Sequence, residues 1–393
     1  MLNVGHAVLH LTLRVQHERA YLRQRTVPCL ACLRKAKHMR KYWRIISVYS
    51  IIHFLVDFAC AFLMFRRISQ SQDWYVCVLL YNFCAFAMQL PIGVVADRLN
   101  RNYLVAAAGC VLVAAGYGLA WAPVAAAIVI GLGNGLFHIG GGVDVLNISM
   151  NTAPKSGSNI APLGVFVSPG AFGVYFGTLL GRGDAPAGIP NLIVLLSAAA
   201  IVIAAAIIIA AARRAWPGSY IQNAVFSPEA RRSALIAAAC LFIVVCLRSY
   251  AGLAINFPWK SAGYWGLALV CATVFGKAAG GFLSDRFGTM RTATVSLGIA
   301  AALFLLPQYP ASGIAAVLLF NMSMPITLWG VAELFPGAKG FSFGLLTFAL
   351  FLGFLPIHLG AGRPPFWFFT PLAAASLILL CAGLRKAKGS LIK

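Results

Sequence analysis

Residues 93–101 read Gly93-Val-Val-Ala-Asp97-Arg98-Leu-Asn-Arg101, and residues 281–291 read Gly281-Phe-Leu-Ser-Asp285-Arg286-Phe-Gly-Thr-Met-Arg291. Each stretch closes a long apolar run with an acid followed by basic residues. Asp97 and Asp285 are 188 residues apart, and the same shift brings Asp144 to within one residue of Glu333. Between the copies lies a polar stretch, residues 213–233, that carries Pro217, Gly218 and Pro228. The pattern divides the chain into two parallel repeats, a known way to build a membrane transporter.

Composition points the same way. The 393 residues are 61% hydrophobic and only 10% charged, with a mean hydropathy of +0.84. A soluble domain carries about 25% charged residues, so a soluble enzyme and a disordered chain are both excluded. A membrane-crossing helix takes about 20 apolar residues. Hydropathy and turn signals predict such helices over 43–65, 74–95, 102–122, 124–146, 160–181, 190–212, 234–257, 263–284, 291–309, 311–334, 340–360 and 364–386. The expected fold is an all-α membrane protein with twelve transmembrane helices in two six-helix pseudo-repeats around a central cavity. The repeats occupy residues 39–212 and 234–386, joined by the linker 213–233 and followed by a short tail, 387–393.

Residues 1–38 differ from the rest. They are basic and lack the apolar core of a secretory signal. They read either as a basic arm on anionic lipid or as an extension upstream of the true start. Met39-Arg40-Lys41 would make a natural short N-terminus, which favours the second reading.

The net charge of +22 follows from topology and not from nucleic-acid binding. Ten of the 31 Lys and Arg residues fall in the first 44 positions. With the N-terminus placed inside, the outer loops hold only Arg66, Arg67, Arg182, Lys260 and Arg363, while Arg248 and Lys277 lie within spans. The positive-inside rule then puts both termini in the cytoplasm of a cell membrane, with a bacterial inner membrane expected. Most of the ten cysteines sit inside apolar runs and read as packing residues. Cys29 and Cys32 form a CxxC with no second ligand pair, so no metal site and no cofactor is expected.

Ionisable groups are unevenly spread. Spans 3, 6, 9 and 12 hold none away from their ends, whereas His53, Asp57, His138, Asp144, Arg248, Lys277 and His358 fall in spans 1, 4, 7, 8 and 11. A charge at mid-bilayer costs about 2.5–3.5 kcal/mol even on lenient scales, so these side chains face protein or water. Every third helix is therefore peripheral.

With this pattern the chain resembles the major facilitator superfamily. The loops after spans 2 and 8 are similar to its G-x-x-x-D-R-x-G-R-[RK] signature; the second copy keeps Gly288, where the first has Asn100. Within that superfamily, several stretches resemble the fosmidomycin-resistance type of exporter: His53-Phe-Leu-Val-Asp57, Phe137-His138 in a Gly-rich span, Gly164–Gly181, and Glu333-Leu-Phe-Pro-Gly337. Gly140-Gly141-Gly142 departs from the polar run expected after that histidine, so no substrate follows from the likeness. Span 5, with Pro169-Gly170, Gly173, Gly177 and Gly181, looks like a degraded antiporter motif, and only this resemblance implies export.

Asp57 is the first candidate for proton coupling. His53 lies one turn away on the same face, and a carboxylate in a low-dielectric cavity suits reversible protonation. The bland alternative is a fixed charge that packs span 1. Arg248 sits at nearly the same depth in span 7, where it either neutralises Asp57 or binds an anionic group. Lys277, His138 and Gln89 complete the candidate substrate cavity, each with a packing or snorkelling role as the alternative. Gly93, Asp97, Arg98, Arg101, Gly281, Asp285, Arg286 and Arg291 form a candidate cytoplasmic gate. Asp144 and Glu333 are expected to pair with its arginines and to release when the halves rock apart. Gly131, Gly135, Pro169, Gly173, Gly177 and Gly181 are expected to pack helices closely.

Gly340-Phe-Ser342-Phe-Gly344 matches G-x-S-x-G but opens an apolar span, without the strand-turn-helix setting of a nucleophile elbow. No ATP-binding loop is present, so transport is expected to run on an ion gradient. The loops are too short for the partner-facing domain of a receptor. The expected function is secondary transport of a small molecule by a monomer, as proton-coupled export of a drug or metabolite. The alternative is uptake or exchange of a small organic anion.

Overall fold

In hydrocarbon every backbone N–H and C=O must be paired within the protein, which leaves apolar runs of this length little choice but helix. The computed structural model describes residues 30–154, 157–183, 189–215 and 228–391, and among these no strand occurs. In chain order the α-helices are α1 (Leu30–Arg66), α2 (Trp74–Asn82), α3 (Gln89–Leu99), α4 (Asn102–Gly118), α5 (Pro123–Thr152), α6 (Ala161–Val167), α7 (Gly170–Arg182) and α8 (Ile189–Ala215). They continue with α9 (Pro228–Ala254), α10 (Trp265–Phe287), α11 (Thr289–Leu303), α12 (Pro310–Asn321), α13 (Ser323–Leu334), α14 (Lys339–His358) and α15 (Phe369–Leu391). Two units are distinguished, Met1–Ile45 and Ile46–Lys393. Of the first, residues 30–45 are described and are helical. Most of the basic extension, and the middle of the linker, lie outside the described residues. All that follows concerns the second unit.

Ten stretches of the described residues are long and apolar enough to cross a membrane. Three of them are built from two helices each. A π-helical turn, Phe83–Ala87, joins α2 to α3, Ser168 and Pro169 separate α6 from α7, and Met322 separates α12 from α13. The predicted spans 102–122 and 291–309 are shorter helices here, of 17 and 15 residues. Turns cut them short: Gly118 precedes a turn that ends at Pro123, and Pro307 follows the end of α11.

The Asp-Arg loops turn at corresponding positions, three residues after each aspartate, with different backbone conformations. Asn100 caps α3 in the left-handed region at φ 52°, and Gly288 follows α10 at φ 89°. Asparagine tolerates the left-handed region better than other side-chain-bearing residues, so the first copy ends its helix without a glycine, while Gly288 takes a positive-φ conformation outside that region.

Candidate functional site

Pro169 has no N–H to donate back, so α6 ends there and its last carbonyls are left for side chains to satisfy. Each finds one. Ser168 donates to Gly164 O at 2.5 Å and Ser50 to Val165 O at 3.3 Å. The next two carbonyls gather the functional groups: His53 Nδ1 lies 2.6 Å from Phe166 O, and Lys277 Nζ donates to Val167 O at 3.3 Å. A proline break thus draws a histidine from α1 and a lysine from α10 to the same helix end.

His53 and Asp57 are one turn apart on α1, with Nε2 3.2 Å from Asp57 Oδ2. Asn134 and His138 are spaced identically on α5, and Asn134 Nδ2 donates to Asp57 Oδ1 at 2.8 Å. His138 Nδ1 lies 2.8 Å from the Asn134 carbonyl, and its Nε2 lies 2.8 Å from His53 Nε2 and 3.8 Å from Asp57 Oδ1. Gly170 opens α7 directly against this cluster: a Cβ there would collide with His53 Nε2 and Asp57 Oδ2. Further along α7, Gly173, Gly177 and Gly181 each leave room for the α1 backbone or its side chains. On α5, Gly131 and Gly135 do the same against the residues Tyr81, Cys84 and Gln89.

The cluster lies on the wall of a cavity of about 470 Å³, which is also lined by Trp74, Gln89, Lys277, Phe343 and His358. Small-molecule sites range over roughly 300–1,000 Å³, and this wall is mainly apolar and aromatic. Gln89 donates to Ala85 O at 2.5 Å, while its Oε1 is buried with no partner among the described residues. Arg248 is placed elsewhere. It is buried, its guanidinium lies 3.5 Å from the Thr327 hydroxyl on α13, and it is not among the residues lining this cavity. The groups that meet Asp57 are the two histidines and Asn134. Asn134 and Gly170 were not singled out as site residues from sequence, although Asn134 repeats on α5 the four-residue spacing of His53 and Asp57.

At one end of the bundle the two Asp-Arg copies make matching contacts. Asp97 accepts the amides of Gly340 at 2.7 Å and Phe341 at 2.8 Å, at the start of α14. Asp285 accepts those of Ile160 at 2.7 Å and Ala161 at 2.9 Å, at the start of α6, and the Ser158 hydroxyl at 3.1 Å. A carboxylate at a helix start satisfies free N–H groups and complements the dipole. Gly93 packs its backbone on Gly340, and Gly281 packs on Ile160 and Ala161, so a side chain at either would push the contact apart. Lys339 adds a buried contact to Asn147 Oδ1 at 2.8 Å. Gly340 and Gly344 of the G-x-S-x-G match lie against α3, and Ser342 donates to Ala338 O at 2.9 Å, as a packing motif would.

The acids were expected to meet arginines, and in this structure Asp144 does not. It is buried and accepts Tyr49 Oη–H at 2.6 Å and Asn102 Nδ2 at 3.0 Å. Burial explains the exchange: neutral donors reach it from α1 and α4 without the desolvation of a second charge. Arg98, Arg101, Arg286 and Arg291 are exposed, and Glu333 stands next to the last residue of α13.

Solved structures share this architecture. The E. coli fucose:proton symporter FucP superposes with a TM-score of 0.56 at 14% identity, over 89% of this chain and 99% of its own. The human organic anion transporter MFSD10 gives 0.58 at 16% identity, over 86% and 99%. A bacterial homologue of the iron transporter ferroportin, in its outward-facing state, gives 0.53 at 14% identity, over 89% and 100%. The fold is that of the major facilitator superfamily. No family model matches the chain, and no curated protein sequence matches it significantly. The proteins named are transporters, and the ten helices among the described residues that are long and apolar enough to cross a membrane suit a multi-pass membrane protein of this fold.

Proposed function

We propose that the chain is a secondary active transporter that moves a small molecule by alternating access, with proton coupling at Asp57 and His53. The observation that carries this reading is the meeting of Asp57, His53 and His138 on the wall of a mainly apolar cavity. An ionisable group in a membrane interior is a functional-site hypothesis by default. We take α4 and α11 to cross the bilayer with the ten longer stretches, giving twelve helices in two pseudo-repeats with both termini cytoplasmic. The matched contacts of Asp97 and Asp285 support that symmetry, and they serve as a latch on the cytoplasmic side of an outward-facing state. Parting of α3 from α14 and of α10 from α6 would open the cavity to the other side.

Proton-coupled export of a drug or metabolite is the reading adopted. Lys277 on the cavity wall favours a second one, uptake or exchange of a small organic anion. Everted vesicles with a respiration-acidified interior separate them. A panel of phosphonates, organic anions, sugars and lipophilic drugs is added while the pH gradient is followed, for wild type and Asp57→Asn. Collapse of the gradient by a compound, lost in the variant, is the expected result. Silence across the panel, with a trans-stimulated exchange of anions, would replace export by the second reading.

A further inference from the structure

We infer that His53 and His138 hold one proton between their Nε2 atoms, and that Asp57 stays ionised beside them as the counter-charge. The inference deepens the proton-coupled reading and rests on it for the transport role, while the bound proton itself follows from donor and acceptor accounting. A backbone carbonyl only accepts. His53 Nδ1, 2.6 Å from Phe166 O, and His138 Nδ1, 2.8 Å from Asn134 O, therefore both carry hydrogen. A neutral imidazole protonated at Nδ1 has only a lone pair at Nε2. Two such lone pairs would face each other across 2.8 Å and repel, whereas one hydrogen between them makes a well-formed hydrogen bond. The pair thus holds one proton more than two neutral rings.

Asp57 is oriented as an acceptor. Oδ1 takes the Asn134 N–H at 2.8 Å, and Oδ2 lies 3.2 Å from His53 Nε2, on the edge of the shared proton. The carbonyl end of α6, the negative end of its dipole, faces the same pair. The other titratable groups around the cluster are Cys60 on α1, Tyr81 on α2 and Lys277 on α10, with Arg248 on α9 beyond Lys277; α6 contributes carbonyls and the Phe166 ring, and α7 contributes Gly170. A metal ion fits the spacing less well. At about 2.0–2.1 Å to each nitrogen it needs them about 3.3 Å apart, wider than the 2.8 Å found.

Departure of the proton leaves the two lone pairs opposed, so the rings must separate. His53 then shifts against Phe166, on the same helix whose first amides Asp285 holds. Proton occupancy is in this way connected to the contact between α10 and α6.

The test uses the full chain in lipid nanodiscs with 15N-labelled histidine. The chain has seven histidines, and His53→Gln and His138→Gln assign the pair, with His138→Asn as the second variant if glutamine fails to fold. Wild type is expected to show a nitrogen–nitrogen coupling across the hydrogen bond and three N–H groups on the four ring nitrogens. The coupling is lost at alkaline pH and in each histidine variant. Asp57→Asn keeps it, with a shifted midpoint. Absence of the coupling in folded wild type from pH 5 to pH 9 overturns the shared proton, as does a stoichiometric divalent metal found by mass spectrometry. Abolition of the coupling in folded Asp57→Asn also overturns it, by assigning the proton to the carboxyl group. The vesicle assay reads separately: a shared proton in a protein whose vesicles respond to no compound keeps the pair and removes the transport reading. A vesicle response without the coupling does the reverse.

Discussion

His53 and Asp285 hold opposite ends of one seven-residue helix, Ala161–Val167. Asp285 takes the amides of Ile160 and Ala161, and His53 Nδ1 meets the carbonyl of Phe166. A helix this short has little stability of its own, so its position depends on what grips it. The signs agree with its dipole, a carboxylate at the start and a proton-bearing ring at the end. Within one turn and a half of helix the cluster of His53, Asp57 and His138 is joined to the contact that Asp285 makes.

The contacts of Asp97 and Asp285 are separable. Asp285→Asn should release the start of α6, and Asp97→Asn the start of α14, each at a cost of about 1 kcal/mol. Hydrogen–deuterium exchange should then quicken about fivefold at Ile160 and Ala161 in the first variant and at Gly340 and Phe341 in the second. Equal rates in wild type and variants would show that these amides are protected by something other than the carboxylates.

Gly170→Ala places a methyl where His53 Nε2 and Asp57 Oδ2 now lie. Overpacking of this kind costs about 1–3 kcal/mol. The variant should still fold, with a thermal midpoint a few degrees lower, and should lose its response in the vesicle assay. Full transport by this variant would mean that the cluster relaxes freely, against the tight placement described above.

Pro169→Ala restores an N–H able to donate to Val165 O, the carbonyl that Ser50 now serves. The helix should run on through Ser168, and Phe166 O should turn into the ladder and away from His53. The nitrogen–nitrogen coupling in the histidine spectrum is the readout. Its persistence unchanged would show that the bend is fixed by packing and not by the missing donor.

Tyr49→Phe removes the donor 2.6 Å from Asp144 Oδ2 and leaves a buried carboxylate with Asn102 alone. The expected loss is about 1–3 kcal/mol, measured as a lower thermal midpoint in detergent. Asp144→Asn in the Tyr49→Phe background should recover part of it, because the charge that needed the donor is gone. A Tyr49→Phe protein as stable as wild type would assign Asp144 a different partner.

The membrane class, the helical fold and the repeat of the Asp-Arg loops were legible in the chain because each is local. Length and polarity of an apolar run set whether it crosses a bilayer, and a turn of acid and base at its end needs no distant contact to be read. The i,i+4 pair His53 and Asp57 was legible for the same reason, since helical spacing alone puts them on one face. Its mirror, Asn134 and His138, was half seen: the histidine stood out by type, while an asparagine in a glycine-rich run did not.

What the chain alone left undecided was which distant group meets which. Depth along spans 1 and 7 left Arg248 either neutralising Asp57 or binding an anionic group, because depth does not settle rotation about a helix axis; in the structure Arg248 lies 3.5 Å from the Thr327 hydroxyl, and the groups that meet Asp57 are His53, His138 and Asn134. Charge pairing suggested arginines for Asp144, whereas burial selects the neutral donors Tyr49 and Asn102. The sequence by itself determined a polytopic helical chain with its ionisable groups in particular spans, because local hydropathy and helical period suffice for that. Only the tertiary structure decided that Pro169 frees the carbonyls that collect His53 and Lys277, because an unpaired carbonyl in a bilayer takes whatever donor the packing of other helices brings within reach.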